Sequence, residues 1–241
     1  MRLRAVFFDA AGTLFTSRAP VAASYARIAR HHGVEADERA VRAGFIRAFH
    51  GATALAFGPG LAASELRRRE REWWRAVVRE SFAGLGQFDD FDDFFDELFA
   101  YFADPAHWIA FAGVIELLGN LRTRRLSLGV ISNFDYRLYR ILEGLGLSRY
   151  FDSITISSEA GYAKPSPEIF RAAMRRQAVE PATAIHVGDS EPLDAEGALA
   201  AGMTPIIVEH RPGAPIASAG GVMRVPTPRQ IADAIAIIER A

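Results

Sequence analysis

Apolar and polar positions follow two different rhythms along this chain. Arg4-Ala-Val-Phe-Phe-Asp9 is a short apolar run without polar alternation that ends on a carboxylate. Such a run suits a strand buried on both faces, as in a parallel sheet. After Pro20 the spacing turns helical. Residues 20–33, 38–50, 64–83 and 90–103 carry little β-branched content, with breaks at Gly33, at Gly58-Pro59-Gly60 and at Gly84 with Gly86. Asp104 to Phe111 reads as a return linker. From there on the rhythm alternates. Helix 113–124 precedes strand 126–131, helix 136–145 precedes strand 153–156, and helix 167–177 precedes strand 183–187. Helix 193–201 then precedes strand 204–208, the stretch Arg211–Gly221 reads as a flexible surface loop, and helix 228–240 closes the chain.

Strands alternating with helices predict βαβ units and an α/β fold with a doubly wound, Rossmann-like parallel sheet. The purely helical block falls after the first strand. A strand-to-helix connection normally takes a few residues, so an insertion of this size should fold as a domain of its own. The expected organisation is an α/β core from residues 1–16 and 110–241, interrupted by a helical-bundle domain over 17–109.

Composition narrows the function classes. Half of the residues are hydrophobic and 11% are aromatic, enough for a substantial core. The 28 basic and 29 acidic side chains nearly cancel, which argues against a chain built around nucleic acid or an anionic membrane surface. With no cysteine, thiolate zinc sites and cysteine nucleophiles are excluded. The chain has no apolar run long enough to span a bilayer, and its start turns acidic too soon for a signal peptide, so a cytoplasmic protein is expected. The six histidines show no metal-ligand spacing: His31, His32, His50 and His210 read as surface residues, and His186 as a core histidine inside a strand. Glu159 reads as solvated. Among the basic residues, 27 are arginine and one, Lys164, is lysine.

In open α/β sheets ligands sit at the carboxyl ends of the strands. Reading only those ends gives Asp9, then Ser132 with Asn133, then Lys164, then Asp189 with Asp194 nearby. Carboxylates, a hydroxyl and one lysine at strand ends are what magnesium-assisted phosphoryl transfer needs: oxygen ligands for Mg²⁺, a cation for phosphate, and a carboxylate that can attack phosphorus.

Four segments resemble, in order, the motifs of the haloacid dehalogenase superfamily of hydrolases. They are Phe8-Asp9-Ala-Ala-Gly-Thr13-Leu14, Val130-Ile-Ser132-Asn133, Lys164-Pro-Ser-Pro-Glu-Ile-Phe170 and His186-Val-Gly-Asp189-Ser-Glu-Pro-Leu-Asp194. The resemblance implies a small helical cap between the first two motifs and a sheet that sets Asp9 beside Asp189. It implies that Asp9 is the nucleophile and a metal ligand, that the main-chain carbonyl of Ala11 and the side chain of Asp189 complete the protein's share of the metal shell, and that Asp194 supports it. Thr13, Ser132, Asn133 and Lys164 would hold the transferring phosphate, Lys164 also pairing with Asp9. The implied substrate is a small phosphorylated metabolite.

One position departs from the pattern. Phosphatases of this superfamily carry a second aspartate two residues after the nucleophile, as general acid and base, and here that position is Ala11. General acid–base catalysis is typically worth about 10²–10⁴-fold. Phosphonoacetaldehyde hydrolases also carry alanine there but use a cap lysine as Schiff base, and this cap has none. The 2-haloacid dehalogenases work without metal and lack the acid at position 189, whereas a second carboxylate facing a nucleophilic one favours a cation between them. Beside a magnesium-dependent phosphatase, two readings therefore stay open: a catalytically impaired protein that binds a phosphate ligand, and a metal-independent 2-haloacid dehalogenase.

Overall fold

The computed structural model describes residues 3–240. Residues 1, 2 and 241, which the expected core segments include, lie outside them. The first strand, β1 (Ala5–Phe8), is buried along its whole length, as its unbroken apolar run requires. It is followed by a three-residue strand β2 (Phe15–Ser17) and by four helices, α1 (Val21–His31), α2 (Glu38–Gly51), α3 (Ala63–Ser81) and α4 (Phe91–Ala103). Asp37 and Asp90 cap α2 and α4, each carboxylate accepting from two main-chain N–H groups of the first turn. The four helices close around an apolar cluster of their own, with Tyr25, Ile28, Val78, Phe82, Phe94 and Leu98 at its centre.

The chain returns through β3 (Trp108–Ala110), which pairs antiparallel with β2. This two-stranded ribbon joins the helical domain to the core, and the edge-on contact of Phe15 with Trp108, ring centroids 5.3 Å apart, fastens it. Neither strand was expected. Each is three residues long and finds its partner some ninety positions away, so no local alternation marks it.

The remainder is α5 (Val114–Thr123), β4 (Ser127–Ser132), α6 (Arg137–Gly144), β5 (Ser153–Ile156), the short α7 (Ser157–Ala160), α8 (Pro167–Gln177), β6 (Ala184–Gly188), α9 (Glu196–Ala200), β7 (Thr204–Val208), β8 (Ala217–Ala219), β9 (Val222–Val225) and α10 (Ile231–Arg240). The sheet order is β5-β4-β1-β6-β7-β9-β8, parallel except at the β8 edge. Apolar layers cover both faces, one including Phe8, Leu118 and Ile235 and the other Phe7, Phe170 and Met174. The loop expected over Arg211–Gly221 is corrected in part: its last residues form β8, which turns through Gly220 and Gly221, both at positive φ, into β9. Residues 217–219 are exposed at every position and only three long, so no buried face marks them as a strand in the sequence. No helix among the described residues is long and apolar enough to cross a membrane.

Candidate active site

β1 lies between β4 and β6, so the carboxyl ends of these three strands bring the first, second and fourth motifs together. Asp9 follows β1 directly, its N–H donating to the Val187 carbonyl at 2.8 Å. The chain then turns sharply: the N–H groups of Thr13, Leu14 and Phe15 all point at the Ala10 carbonyl, and Gly12 adopts φ +92°. A Cβ on Gly12 would stand 2.4 Å from Asp189 Oδ2. Glycine here serves the close approach of two loops as well as the turn. Gly188 does the same on the other side, where a Cβ would fall 2.1 Å from the Asp194 carboxyl carbon.

Lys164 is 5% exposed and lies between two acids, with Nζ 2.8 Å from Asp9 Oδ1 and 2.6 Å from Asp194 Oδ1. Burial alone would lower its pKa, but the charges of Asp194 and Asp9 outweigh that, and it lies above the ordinary lysine value. Asp194 is committed to this task. Its Oδ1 also meets His186 Nε2 at 2.8 Å, and its Oδ2 accepts from the Ser190 N–H at 3.0 Å. Although burial opposes it, the charge of Lys164 and the hydrogen bond to His186 hold the Asp194 carboxyl below the usual carboxylate range. A five-residue π-helical turn, Glu191–Ala195, presents Asp194 inward where a regular helical turn would aim it differently.

Asp189 completes the group. One oxygen from each of Asp9, Asp189 and Asp194 lies within 4.8 Å of the others. Burial, and then the charges of Asp9 and Asp194, push the Asp189 carboxyl up to about 6, with Lys164 and His210 pulling the other way. Three converging carboxylates against one lysine leave negative charge uncompensated, and a divalent cation with oxygen ligands fits that donor set. With Asp194 already accepting from three donors, the acids open to such an ion are Asp9 and Asp189.

The other expected residues divide. Ser132, at the end of β4, is 3% exposed, and its hydroxyl makes no hydrogen bond among the described residues. Thr13 is buried beside Asp189 with a long Oγ1–Oδ1 contact of 3.5 Å. Ala11 carries a methyl group, so no acid stands two residues after Asp9. The Asn133 side chain is engaged elsewhere: its Oδ1 accepts from the Lys164 N–H at 2.7 Å and its Nδ2 donates to the Lys164 carbonyl at 3.0 Å. It positions the lysine by its main chain.

Two histidines were assigned too little. His186 is a core residue as expected, yet it also buttresses Asp194 and stands edge-on against Phe170. His210 is exposed, but its Nε2–H donates to the Gly12 carbonyl at 2.6 Å, and its ring lies against Phe111. The His210 contact joins the loops after β7 and β1, 198 positions apart, so only the sheet order exposes it, whereas the His186 contact spans eight positions and depends on the turn after β6. Glu159, expected to be solvated, is half-buried and accepts from the Tyr139 hydroxyl at 2.8 Å.

The family model for haloacid dehalogenase-like hydrolases matches residues 3–202. The chain belongs to this family. Haloacid dehalogenase-like hydrolase domain-containing protein 3 of Mus musculus is 38% identical over 210 residues, which cover 86% of this chain and 82% of the mouse protein. Two solved structures show how widely the fold is shared. A HAD phosphatase from Thermococcus onnurineus matches with a TM-score of 0.64 and 23% identity over 97% of this chain and 98% of that one. A 2-haloacid dehalogenase from Pseudomonas syringae matches with a TM-score of 0.62 and 24% identity over 98% and 99%. One architecture thus carries both phosphorus and halide chemistry, and the site has to discriminate between them.

Proposed function

We propose that this haloacid dehalogenase-like hydrolase is a Mg²⁺-dependent phosphatase acting in the cytoplasm on a small phosphorylated metabolite, with residues 17–109 as its cap. The observation that carries this reading is Asp189: it faces Asp9 across Gly12, where a halide-releasing enzyme has no use for a second acid. Asp9 and Asp189, with the Ala11 carbonyl, would hold the ion. Bound there, Mg²⁺ would neutralise carboxylate and phosphate oxygens as charge builds during transfer.

The chain's own residues supply the rest. Asp9 attacks phosphorus through its free oxygen while Lys164 keeps the carboxylate ionised and oriented. The bond to the leaving oxygen breaks as the aspartyl phosphate forms, and water later releases phosphate. Ser132 and Thr13 hydrogen-bond the transferring group, and Asn133 and Asp194 fix Lys164 between its partners. Because Ala11 offers no proton, the leaving oxygen departs as an anion, so acidic leaving groups are favoured. Phe134, one residue beyond Asn133, lines an apolar cavity with Tyr25, Phe45, Trp74, Phe99 and Trp108, which supports a leaving group with an aromatic or aliphatic body.

A panel of aryl, acyl and alkyl phosphates, run beside 2-haloacids with and without a chelator, tests the reading. Chelator-sensitive turnover of aryl and acyl phosphates is expected. Chelator-resistant release of halide would replace the reading with dehalogenation. Stabilisation by phosphate without turnover of any ester would replace it with the binder that Ala11 keeps open.

A further inference from the structure

Cap and core also meet away from the reaction site, along α7, the short helix that leads to Lys164. The Ser157 hydroxyl donates to the Leu55 carbonyl at 2.7 Å, and the Phe57 N–H donates to the Ser158 carbonyl at 3.3 Å. Gly161 lies so near the cap that a Cβ there would stand 2.5 Å from the Gly58 Cα. Beside this clasp, Trp74 of α3 donates through Nε1–H to Asp135 Oδ2 at 2.6 Å, and Asp135 is itself paired with the buried Arg137.

Into the same interface α3 inserts Glu70, which is 0% exposed. Neither of its carboxylate oxygens, nor the buried hydroxyl of Ser158, makes a well-formed hydrogen bond among the described residues, although the Ser158 hydroxyl and the Tyr136 main chain lie close to the carboxylate. A buried carboxylate with no cation and no well-formed hydrogen bond is costly when ionised, and the remedies are protonation or release to water. We propose that Glu70 is a proton-operated latch: protonated, it holds the cap closed on α7 by donating to Ser158, and ionised, it forces the interface apart. This goes beyond the phosphatase reading and does not depend on it.

The surroundings fit that role on every side. From α7 come Ser158 and the acid Glu159, which is held by Tyr139 of α6. From the turn after β4 come Asp135 and the Tyr136 main chain. Arg137 of the core is spent on Asp135, and Arg67 of α3 lies over the Tyr136 ring. Burial pushes the Glu70 carboxyl from its ordinary 4.5 up to about 7, Asp135 and Glu159 adding to the effect while Ser158 and the Tyr136 main chain favour the ionised form. The closed form therefore binds the proton more tightly than the open one. Closure is strongest below about 4.5, weakens by up to about tenfold per pH unit toward about 7, and levels off above that.

Because the chain has no cysteine, two can be introduced without interference. Arg42→Cys in α2 and Arg175→Cys in α8 place spin labels on exposed positions of cap and core. Pulsed distance measurement on the full chain should give a short, narrow distribution at pH 5 that lengthens and broadens at pH 8. In the Glu70→Gln background the short distribution should persist at both values. A distribution indifferent to pH in the parent, or a pH response surviving in Glu70→Gln, would overturn the latch. Should Glu70→Gln fail to fold, carboxyl NMR of the glutamate-labelled parent decides: a Glu70 midpoint near 7 supports the latch, and one near 4.5 overturns it. No step requires turnover, so the latch and the phosphatase reading fail separately.

Discussion

At the scale of single residues, the site turns on which charges are buried together. Lys164 sits between Asp9 and Asp194 with almost no access to water, and a buried pair broken from one side costs about 3–5 kcal/mol. Lys164→Met should therefore both abolish turnover and lower the unfolding free energy read from urea denaturation by about 3–5 kcal/mol. Lys164→Arg should recover much of the stability but little activity, since a guanidinium places its charge farther out and in a plane. Ala11 gives the complementary test. Ala11→Asp should raise alkyl phosphate turnover by up to about 10²-fold, the low end of general acid–base catalysis, and leave aryl phosphates nearly unchanged. Equal gains for both ester classes would show that proton donation is not what the site lacks. These residues were legible in the sequence because each ends a strand or opens the loop after it. Their supports were not. That Asn133 grips the Lys164 main chain depends on which strands are neighbours, that His186 and Ser190 hold Asp194 depends on the π-helical turn after β6, and nothing in the sequence marks Glu70, set among Arg67, Arg68, Arg69 and Arg71, as buried.

At the scale of elements, the joint between cap and core is the two-stranded ribbon of β2 and β3. Trp108 fills it, 7% exposed, packed edge-on to Phe15 and near Phe102 and Phe134. Its indole N–H donates to the Phe102 carbonyl at 3.2 Å, so truncation removes both packing and a hydrogen bond. Trp108→Ala should destabilise the protein by about 3–5 kcal/mol, read from chemical denaturation. A loss within experimental error would mean that the ribbon is not a structural joint. The helices of the cap and the alternating strands of the core were readable because their apolar periodicity is sustained over many residues. The ribbon, α7 and the β8 edge are three or four residues long, too short for any period to appear, and they exist through tertiary pairing.

At the scale of the whole molecule, the sequence order itself announced the architecture: one apolar strand, a long helical interruption, then regular alternation. What it left open was how the two parts grip one another, since the clasp along α7 joins segments a hundred positions apart. The same architecture serves phosphatases and dehalogenases alike, and what separates the proposed chemistry from its alternatives is whether Asp9 becomes phosphorylated. The direct measurement is rapid acid quenching of the enzyme with Mg²⁺ and an aryl phosphate, followed by mass spectrometry of the peptide that contains Asp9. The expected result is an adduct of one phosphoryl group on Asp9 that forms within the first turnover, disappears in Asp9→Asn and requires the metal. Steady turnover with no phosphoryl adduct on Asp9, or turnover persisting in pure Asp9→Asn, would contradict it.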